Sequence, residues 1–376
     1  MPVLTPDQLT RLYDEPNFEP SIAEIVMVHM VIATMYFHCG VRNEPDQRSN
    51  LNELSNKHYH FALSKIYDLL GSQELEAVQA LAMIASHTRA FPKPGCGSIL
   101  ASMSLHRALE LNLHRSSKKP GEGTDLHNEM RKRTWWVILT VVVAITGRRG
   151  SPLPVNVQDF DIEFPEPIAD DLLSDQGVDT SRSIPCAWEA GLAGFKIVPI
   201  FMEMYANIYS VRRDPQNYVN VVKALEKQLE NWEAELPESL RFNESEGLES
   251  TTIPAIYART FALELRLCLR HPSVALTTDK QMMADNTRIC DETAREFLRC
   301  TMQLYRTKAL DTTWYQMSVY GACIFSMLVA HWERRFETTP RQVATLREEM
   351  QSWMVILRET SLLLGTYACP ISVRRG

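Results

Sequence analysis

Apolar residues recur every three to four positions along most of the chain, the spacing of helices that bury one face. The pattern predicts helices over residues 21–39, 46–70, 74–90, 98–114 and 125–146, then over 187–211, 215–236, 254–271, 286–308, 312–336 and 340–364. Ser21-Ile-Ala-Glu24 reads as a capping box, in which the serine oxygen and the glutamate carboxylate take up amide donors left free at a helix start. Asp214-Pro215 and Thr339-Pro340 each place a capping side chain before a proline, whose missing N–H costs nothing at the first helical position. Gly71 and the run Phe91-Pro92-Lys93-Pro94-Gly95 read as stops. No run shows the clean alternation of a strand. Val155–Phe164 alternates locally, but prolines flank it, and an extended loop across a helical body is expected. Residues 149–186, rich in Pro, Asp and Ser, and 237–253, rich in Glu, Ser and Asn with Gly247, read as loops. The expected fold is all-α: one large multi-helix domain over residues 1–376 with long surface loops, in which 187–376 is a candidate second lobe.

Composition narrows the function. The 376 residues are 45% apolar, enough for a sizeable core, and carry a net charge of −7. An acidic surface is a poor partner for phosphate, so direct nucleic-acid binding is not expected. Basic residues cluster only briefly, at Arg131–Arg133, Arg148–Arg149, Arg334–Arg335 and Arg374–Arg375. The eight cysteines are Cys39, Cys96, Cys186, Cys268, Cys290, Cys300, Cys323 and Cys369, with no Cys-x-x-Cys among them. They read as reduced, mostly buried thiols of a cytosolic or nuclear protein. The N-terminal residues are polar and include Pro2 and Pro6, unlike a secretory signal. The apolar run Trp135–Thr146 is too short to span a bilayer, and Ile22–Cys39 carries Glu24, His29 and His38; a soluble chain without membrane contact is expected. His106 and His114 lack a third ligand at metal spacing, and His58 and His60 point to different sides of a helix. These, with His29, His38 and His127, are read as ordinary hydrogen-bonded histidines. No cofactor or metal is expected.

The densest motif is Arg131-Lys-Arg-Thr-Trp135-Trp136-Val-Ile-Leu-Thr140, followed by Gly147-Arg148, Pro152-Leu-Pro154 and Asp159-Phe-Asp161-Ile-Glu163-Phe-Pro165. Upstream lies Ser104-Leu-His106-Arg107-Ala-Leu-Glu110-Leu-Asn-Leu113-His114-Arg115. This order resembles the regulatory domain, or middle homology region, of fungal transcription factors of the binuclear zinc cluster class. There, a helix ending in "ALELGLHR" precedes "RRRLWW", a Gly-Arg-Pro step and "DIDVPLP". The resemblance is strongest over residues 75–167 and compatible over the rest. It implies a nuclear regulator of transcription that senses an effector or binds partners. Other transcription factors or coregulators and a small-molecule effector are the implied partners, with DNA met only indirectly and homo-oligomers left open. Metabolic and specialised-metabolite gene clusters are common targets of such regulators. The chain has none of the closely spaced cysteines of the family's zinc cluster. A short natural regulator, a piece of a longer one, and an offshoot with another task remain open.

The signature residues are Arg131, Arg133, Trp135, Trp136, Gly147, Arg148, Pro152, Asp159 and Asp161, and each is read as structural. Adjacent tryptophans point about 100° apart on a helix, so one is expected to enter the core and the other to pack on a neighbouring helix. The rival reading makes them the wall of an effector pocket. Arg131, Lys132 and Arg133 are expected to pair with Asp159, Asp161 or Glu163, which share one face of the extended loop. Gly147 reads as a helix-ending glycine of positive φ, with Arg148 and Arg149 at the negative end of the helix dipole. The family's Gly-Arg-Pro is here Gly147-Arg148-Arg149-Gly150-Ser151-Pro152, a small insertion. One enzyme reading competes: Asp170-Asp171-Leu-Leu-Ser-Asp175 resembles the Asp-rich motif of all-helical terpene cyclases, which holds magnesium and diphosphate. Its setting among prolines and serines favours a solvated acidic loop.

Overall fold

The fold is seen in a computed structural model, which describes residues 3–15, 18–42, 45–90, 94–118, 122–242, 251–271 and 277–363. Side chains mark where its helices begin. Thr5 and Gln8 close a capping box at the start of α1 (Pro6–Asp14), with Pro6 in the first turn. Ser21 and Glu24 do the same at α2 (Ile22–Arg42), through bonds of 2.8 and 3.2 Å. Thr339 and Gln342 cap α13 (Pro340–Leu363) in the same way. Asp214 caps only a short 3-10 turn over Pro215–Asn217, which leads into the helix proper.

Contacts divide the chain into two compact units. The first comprises Met1–Thr88, Lys93–Gly147 and Leu153–Pro199. It holds α1, α2, α3 (Pro45–Ser64), α4 (Ile66–Gly71), α5 (Leu75–His87), α6 (Pro94–Glu110) and α7 (Leu126–Arg148) up to Gly147. α2 packs against α3 and α5, and α5 against α6. By length and composition, Ile22–Gly40 is apolar enough to cross a membrane. Here its Val26, Met27, Met30 and Ala33 are wholly buried among these helices. Between α7 and α8 (Glu189–Asn207) runs a long loop, mostly without regular structure.

The second unit comprises Arg89–Pro92, Arg148–Pro152 and Ile200–Gly376. It holds the end of α8, then α9 (Tyr218–Ala234), α10 (Ile253–Arg270), α11 (Lys280–Arg306), α12 (Gln316–Glu333) and α13. α11 packs against α10, α12 and α13. The core here includes Trp353, Tyr320, Phe297 and Leu263. α11 ends in a Schellman turn: Lys308 takes φ +55°, and the Ala309 amide reaches back to the Leu304 carbonyl at 2.7 Å. The unit boundary falls within α8 at Pro199, a proline inside the helix.

The all-α expectation holds, with four local differences. α1 was hidden by its polar sequence. The helix expected over 46–70 breaks at Lys65, which leaves helical geometry (φ −101°, ψ 3°) between α3 and α4. A two-stranded antiparallel hairpin, β1 (Leu173–Ser174) and β2 (Gly177–Val178), lies where only loop was expected. Gly177 supplies the φ of +125° that its turn requires. α11 starts ahead of the expected residue 286, because Asp279 accepts from the Gln281 and Met282 amides. Residues 91–93 of the expected break, 243–250 with Gly247 in the second loop, the final residue of the last expected helix, Cys369 and Arg374–Arg375 lie outside the described residues.

Candidate functional site

The signature centres on α7, and α7 is enclosed on every face. Nearly all its residues from Asn128 to Gly147 are buried, polar ones included. A helix apolar all round must be covered all round, and the loop that follows supplies part of the cover. Trp136 donates from Nε1 to the Glu163 carbonyl at 3.0 Å. Its ring stacks on Phe164 at 4.2 Å and meets Phe160 edge-on at 5.6 Å. Trp135 lies between Phe160 and His114, at 5.6 and 5.9 Å. Burial lowers the His114 pKa and the neighbouring Arg115 charge adds to this, against an opposite pull from Asp161 and Asp159. Both tryptophans are thus buried. The second packs on the loop, where a neighbouring helix was expected. The Trp135 Nε1 is buried with no hydrogen-bond acceptor.

The basic turn pairs differently from expectation. Arg131 donates to the Asn112 carbonyl at 2.9 Å. Asn112 is left-handed (φ +53°) and closes a Schellman turn after α6, in which the Leu113 amide bonds the Ala108 carbonyl. Lys132 meets the buried Glu129 at 3.0 Å, one helical turn back. Arg133 donates to Asp170 at 2.5 Å, and its guanidinium covers the Trp188 ring at 4.4 Å. None of the three pairs with Asp159, Asp161 or Glu163. Consecutive helix positions send them in three directions, while the loop acids serve backbone and hydroxyl donors. Asp159 accepts from the Asn156 amide at 2.6 Å. Asp161 accepts from the Ser116 amide at 3.0 Å, and Glu163 from the Ser116 hydroxyl at 2.7 Å. The Asp161 and Ile162 amides both donate to the His114 carbonyl. The loop is therefore pinned to the turn after α6 by its own acids.

Glu129, which the sequence reading missed, is the hub. Its wholly buried carboxylate takes the Lys132 ammonium, the Thr124 hydroxyl at 2.8 Å and the Glu166 amide at 3.0 Å. A buried carboxylate is tolerated only when its lone pairs are met by donors, and here they come from the start of α7, with the residues leading into it, and from the loop that follows it. The acidic run is not simply solvated either. Asp170 belongs to Arg133, while Asp171 and Asp175 are exposed. Among the described residues, no group of three or more His, Cys, Asp or Glu is placed to hold a metal ion.

In the second unit, Arg148 anchors a separate cluster. It grips Glu264 on α10 through two bonds of 2.7 and 2.5 Å and lies 4.4 Å over the Tyr315 ring. Burial disfavours the Arg148 charge, but the Glu264 carboxylate outweighs it and raises the pKa. Arg89 donates to the Tyr315 hydroxyl at 3.2 Å. The expected positive-φ glycine is not Gly147, which stays helical and buried. It is Gly150, at φ +67°, because α7 continues to Arg148. Pro152 is exposed. Arg148 therefore owes its setting to a specific carboxylate as well as to the helix end.

Other chemical candidates are quiet. His29 and His58 approach through their Nδ1 atoms at 3.1 Å, and His29 stacks on Phe61. The cysteines among the described residues are free, and burial pushes the Cys268, Cys290 and Cys300 thiols up to about 12. Such thiols are inert. The first unit has a recess of 150 Å³ beside Arg11, Asp170 and Asp171. The second has a cleft of 320 Å³ lined by Asp291, Arg295, His331 and Arg334. Trp135 and Trp136 line neither.

The signature is thus a buried packing of helix against loop, and comparison with known proteins identifies the family that carries it. The sequence profile described as "Fungal specific transcription factor domain" matches residues 5–234. The chain belongs to that family. It is 22% identical over 242 residues to "Activator of stress genes 1" of Saccharomyces cerevisiae, covering 62% of this chain and 25% of that protein. It is 24% identical over 320 residues to "Thiamine repressible genes regulatory protein thi1" of Schizosaccharomyces pombe, covering 81% of this chain and 39% of that protein. It is 24% identical over 189 residues to the "ABC-transporter-regulating transcription factor" of Aspergillus fumigatus, covering 49% and 20%. The chain spans about a quarter of the length of the first of these relatives. No solved structure matches it significantly. The family and these relatives are transcription regulators rather than enzymes, which removes the terpene-cyclase alternative.

Proposed function

We propose that residues 1–376 form one regulatory domain of a nuclear transcription factor. The domain senses a metabolite or binds coregulators, and it passes that state to a DNA-bound partner or to a DNA-binding segment. The family match over residues 5–234 carries this reading. The net charge of −7 supports indirect action at DNA, since the chain has little basic surface with which to neutralise phosphate. Arg131, Arg133, Trp135, Trp136, Gly147, Arg148, Pro152, Asp159 and Asp161 act as structure in this reading: they fix the α7 helix and its loop and touch no ligand. The regulated genes are of the metabolic or specialised-metabolite kind.

A reporter assay tests it. The chain is fused to an unrelated DNA-binding domain in a fungal host grown on varied nutrients. Reporter output that differs from that of the DNA-binding domain alone, and shifts with nutrient, is expected. Output equal to that of the DNA-binding domain alone under every condition contradicts the reading.

A further inference from the structure

Helix α12 is apolar on both sides; one side is buried, and the other is covered only in part among the described residues, where Phe325 packs on the His271 ring at 5.5 Å. From Gln316 to Ala330 it carries no charged residue. Val319, Tyr320, Cys323, Met327 and Ala330 are buried, against α11, α13 and α10. On the other side, Ser318, Gly321, Phe325, Leu328 and Trp332 follow each other at steps of three and four residues, which keeps them on one narrow stripe. Phe325 is 49% exposed, Leu328 46%, Trp332 66%, and Phe336, just past the helix, 87%. Arg335 lies over both the Trp332 and Phe336 rings, at 4.4 and 4.3 Å. Four large apolar side chains aligned on one stripe form a patch of the size that is the largest on an ordinary monomer, roughly 300–600 Å², and such a patch is often functional.

The order of residues along the stripe indicates what covers it. A two-fold axis through the helix between residues 326 and 327 pairs each position with its mirror. Gly321 then faces Trp332, Phe325 faces Leu328, and Ile324 faces Val329. Beyond them, Met317 faces Phe336 and Ser318 faces Arg335. Each large apolar group meets an apolar or small partner. The largest, Trp332, meets the glycine, where nothing lies within 4 Å of the space a Cβ would fill. Arg335 is the one charge drawn in, and it meets a hydroxyl that can accept from it. Steps of four, three and four are also the a/d seam of paired helices. Such self-complementarity is what an isologous two-fold contact needs. The four large side chains expose on the order of 500 Å² per protomer, taking roughly 200 Å² for a whole aromatic side chain. Two copies together bury about 1,000 Å², the lower edge for a specific interface.

We propose that α12 is a homodimerisation face, on which a second copy of this chain packs its own α12 antiparallel, with Gly321 of each copy against Trp332 of the other. This holds whatever the chain regulates. Sedimentation velocity of the full chain, from about 1 to 100 µM, tests it at the weak affinities such an area allows. The wild type shifts from monomer to dimer across that range, and the exposed variant Trp332→Glu stays monomeric with an unchanged helical circular dichroism spectrum. Register is read by cysteine cross-linking: Gly321→Cys mixed with Trp332→Cys forms an intermolecular disulfide on mild oxidation, and neither variant alone does so at those positions. A wild type that stays monomeric throughout overturns the proposal and leaves the face to another protein. A dimer indifferent to Trp332→Glu, or one that fails to cross-link in the mixture, overturns it too.

Discussion

Helices α7 and α12 each carry a long apolar stretch, but the two stretches stand in different environments. α7 is buried on nearly every face, partly under a loop that the helix itself holds in place through Trp136, Arg133 and Glu129. α12 is closed on one face and leaves Phe325, Leu328 and Trp332 outward. Apolar pattern states how much cover a helix needs and is silent on whether the same chain provides it. In α7 the loop covers the tryptophans with the Phe160 and Phe164 rings, and polar groups hold that cover in place: a carbonyl for the indole, a carboxylate for the arginine, a loop amide for the buried acid.

The largest effect that sharpens this contrast is at the paired tryptophans. Trp135→Ala and Trp136→Ala each empty a buried site and should cost about 3–5 kcal/mol of stability in urea unfolding. Trp332→Ala should cost less than about 0.5 kcal/mol at dilutions where the chain is monomeric. A similar cost at all three positions would erase the distinction between the helices.

Next is Glu129. Glu129→Ala takes the near carboxylate from the buried Lys132, leaving it only Glu166 at 4.0 Å, and frees the Glu166 amide, so a loss of about 3 kcal/mol is expected. Limited proteolysis should then cut the 153–186 loop first. A variant as stable as the wild type, with that loop still protected, would mean that packing alone holds it.

A third prediction concerns pH in the first unit. Burial, with the nearby His38, lowers His87 from 6.5 to about 4. The unfolded chain takes up this proton near pH 6.5, and the folded chain only near pH 4. Stability from neutral His87 is therefore complete above about pH 6.5 and is lost as pH falls from there toward 4, by up to about 3 kcal/mol. His87→Gln should flatten that part of the stability profile. An unchanged slope in the variant would assign the loss to other groups.

The smallest effect separates the two tryptophans. Trp136→Phe loses the bond to the Glu163 carbonyl, whereas Trp135→Phe removes an N–H that bonds nothing. By the usual worth of one hydrogen bond, Trp136→Phe should be the more destabilising by about 1 kcal/mol. Equal losses would show that the indole bond adds nothing to holding the loop.

What could be read from the sequence was local. The capping pair of Ser21 with Glu24 lies three residues apart, Thr339 stands directly before Pro340, and the apolar period placed most helices. The family order from Arg131 to Pro165 located the site. What escaped depends on distant partners. Arg148 finds Glu264, 116 residues on, and Arg133 finds Asp170 beyond the nearer acids. Side-chain alternation suggested Asp159, Asp161 and Glu163 as partners because they share a face, yet sequence spacing could not show that Asn156 takes Asp159 and that Ser116, in the turn after α6, takes the other two. The short α1 escaped because polar residues dominate it, although Thr5-Pro6-Asp7-Gln8 carries a capping box.

α7 completes its burial within the chain, and α12, as a proposed dimer face, completes its own with a second copy. Hydroxyl-radical footprinting of tryptophan side chains over a dilution series measures this directly. Trp135 and Trp136 should stay protected at every concentration, and Trp332 should be labelled readily when dilute and become protected as the chain is concentrated. Labelling of Trp332 that is independent of concentration, or labelling of Trp135 and Trp136 as fast as that of Trp332, would contradict the account.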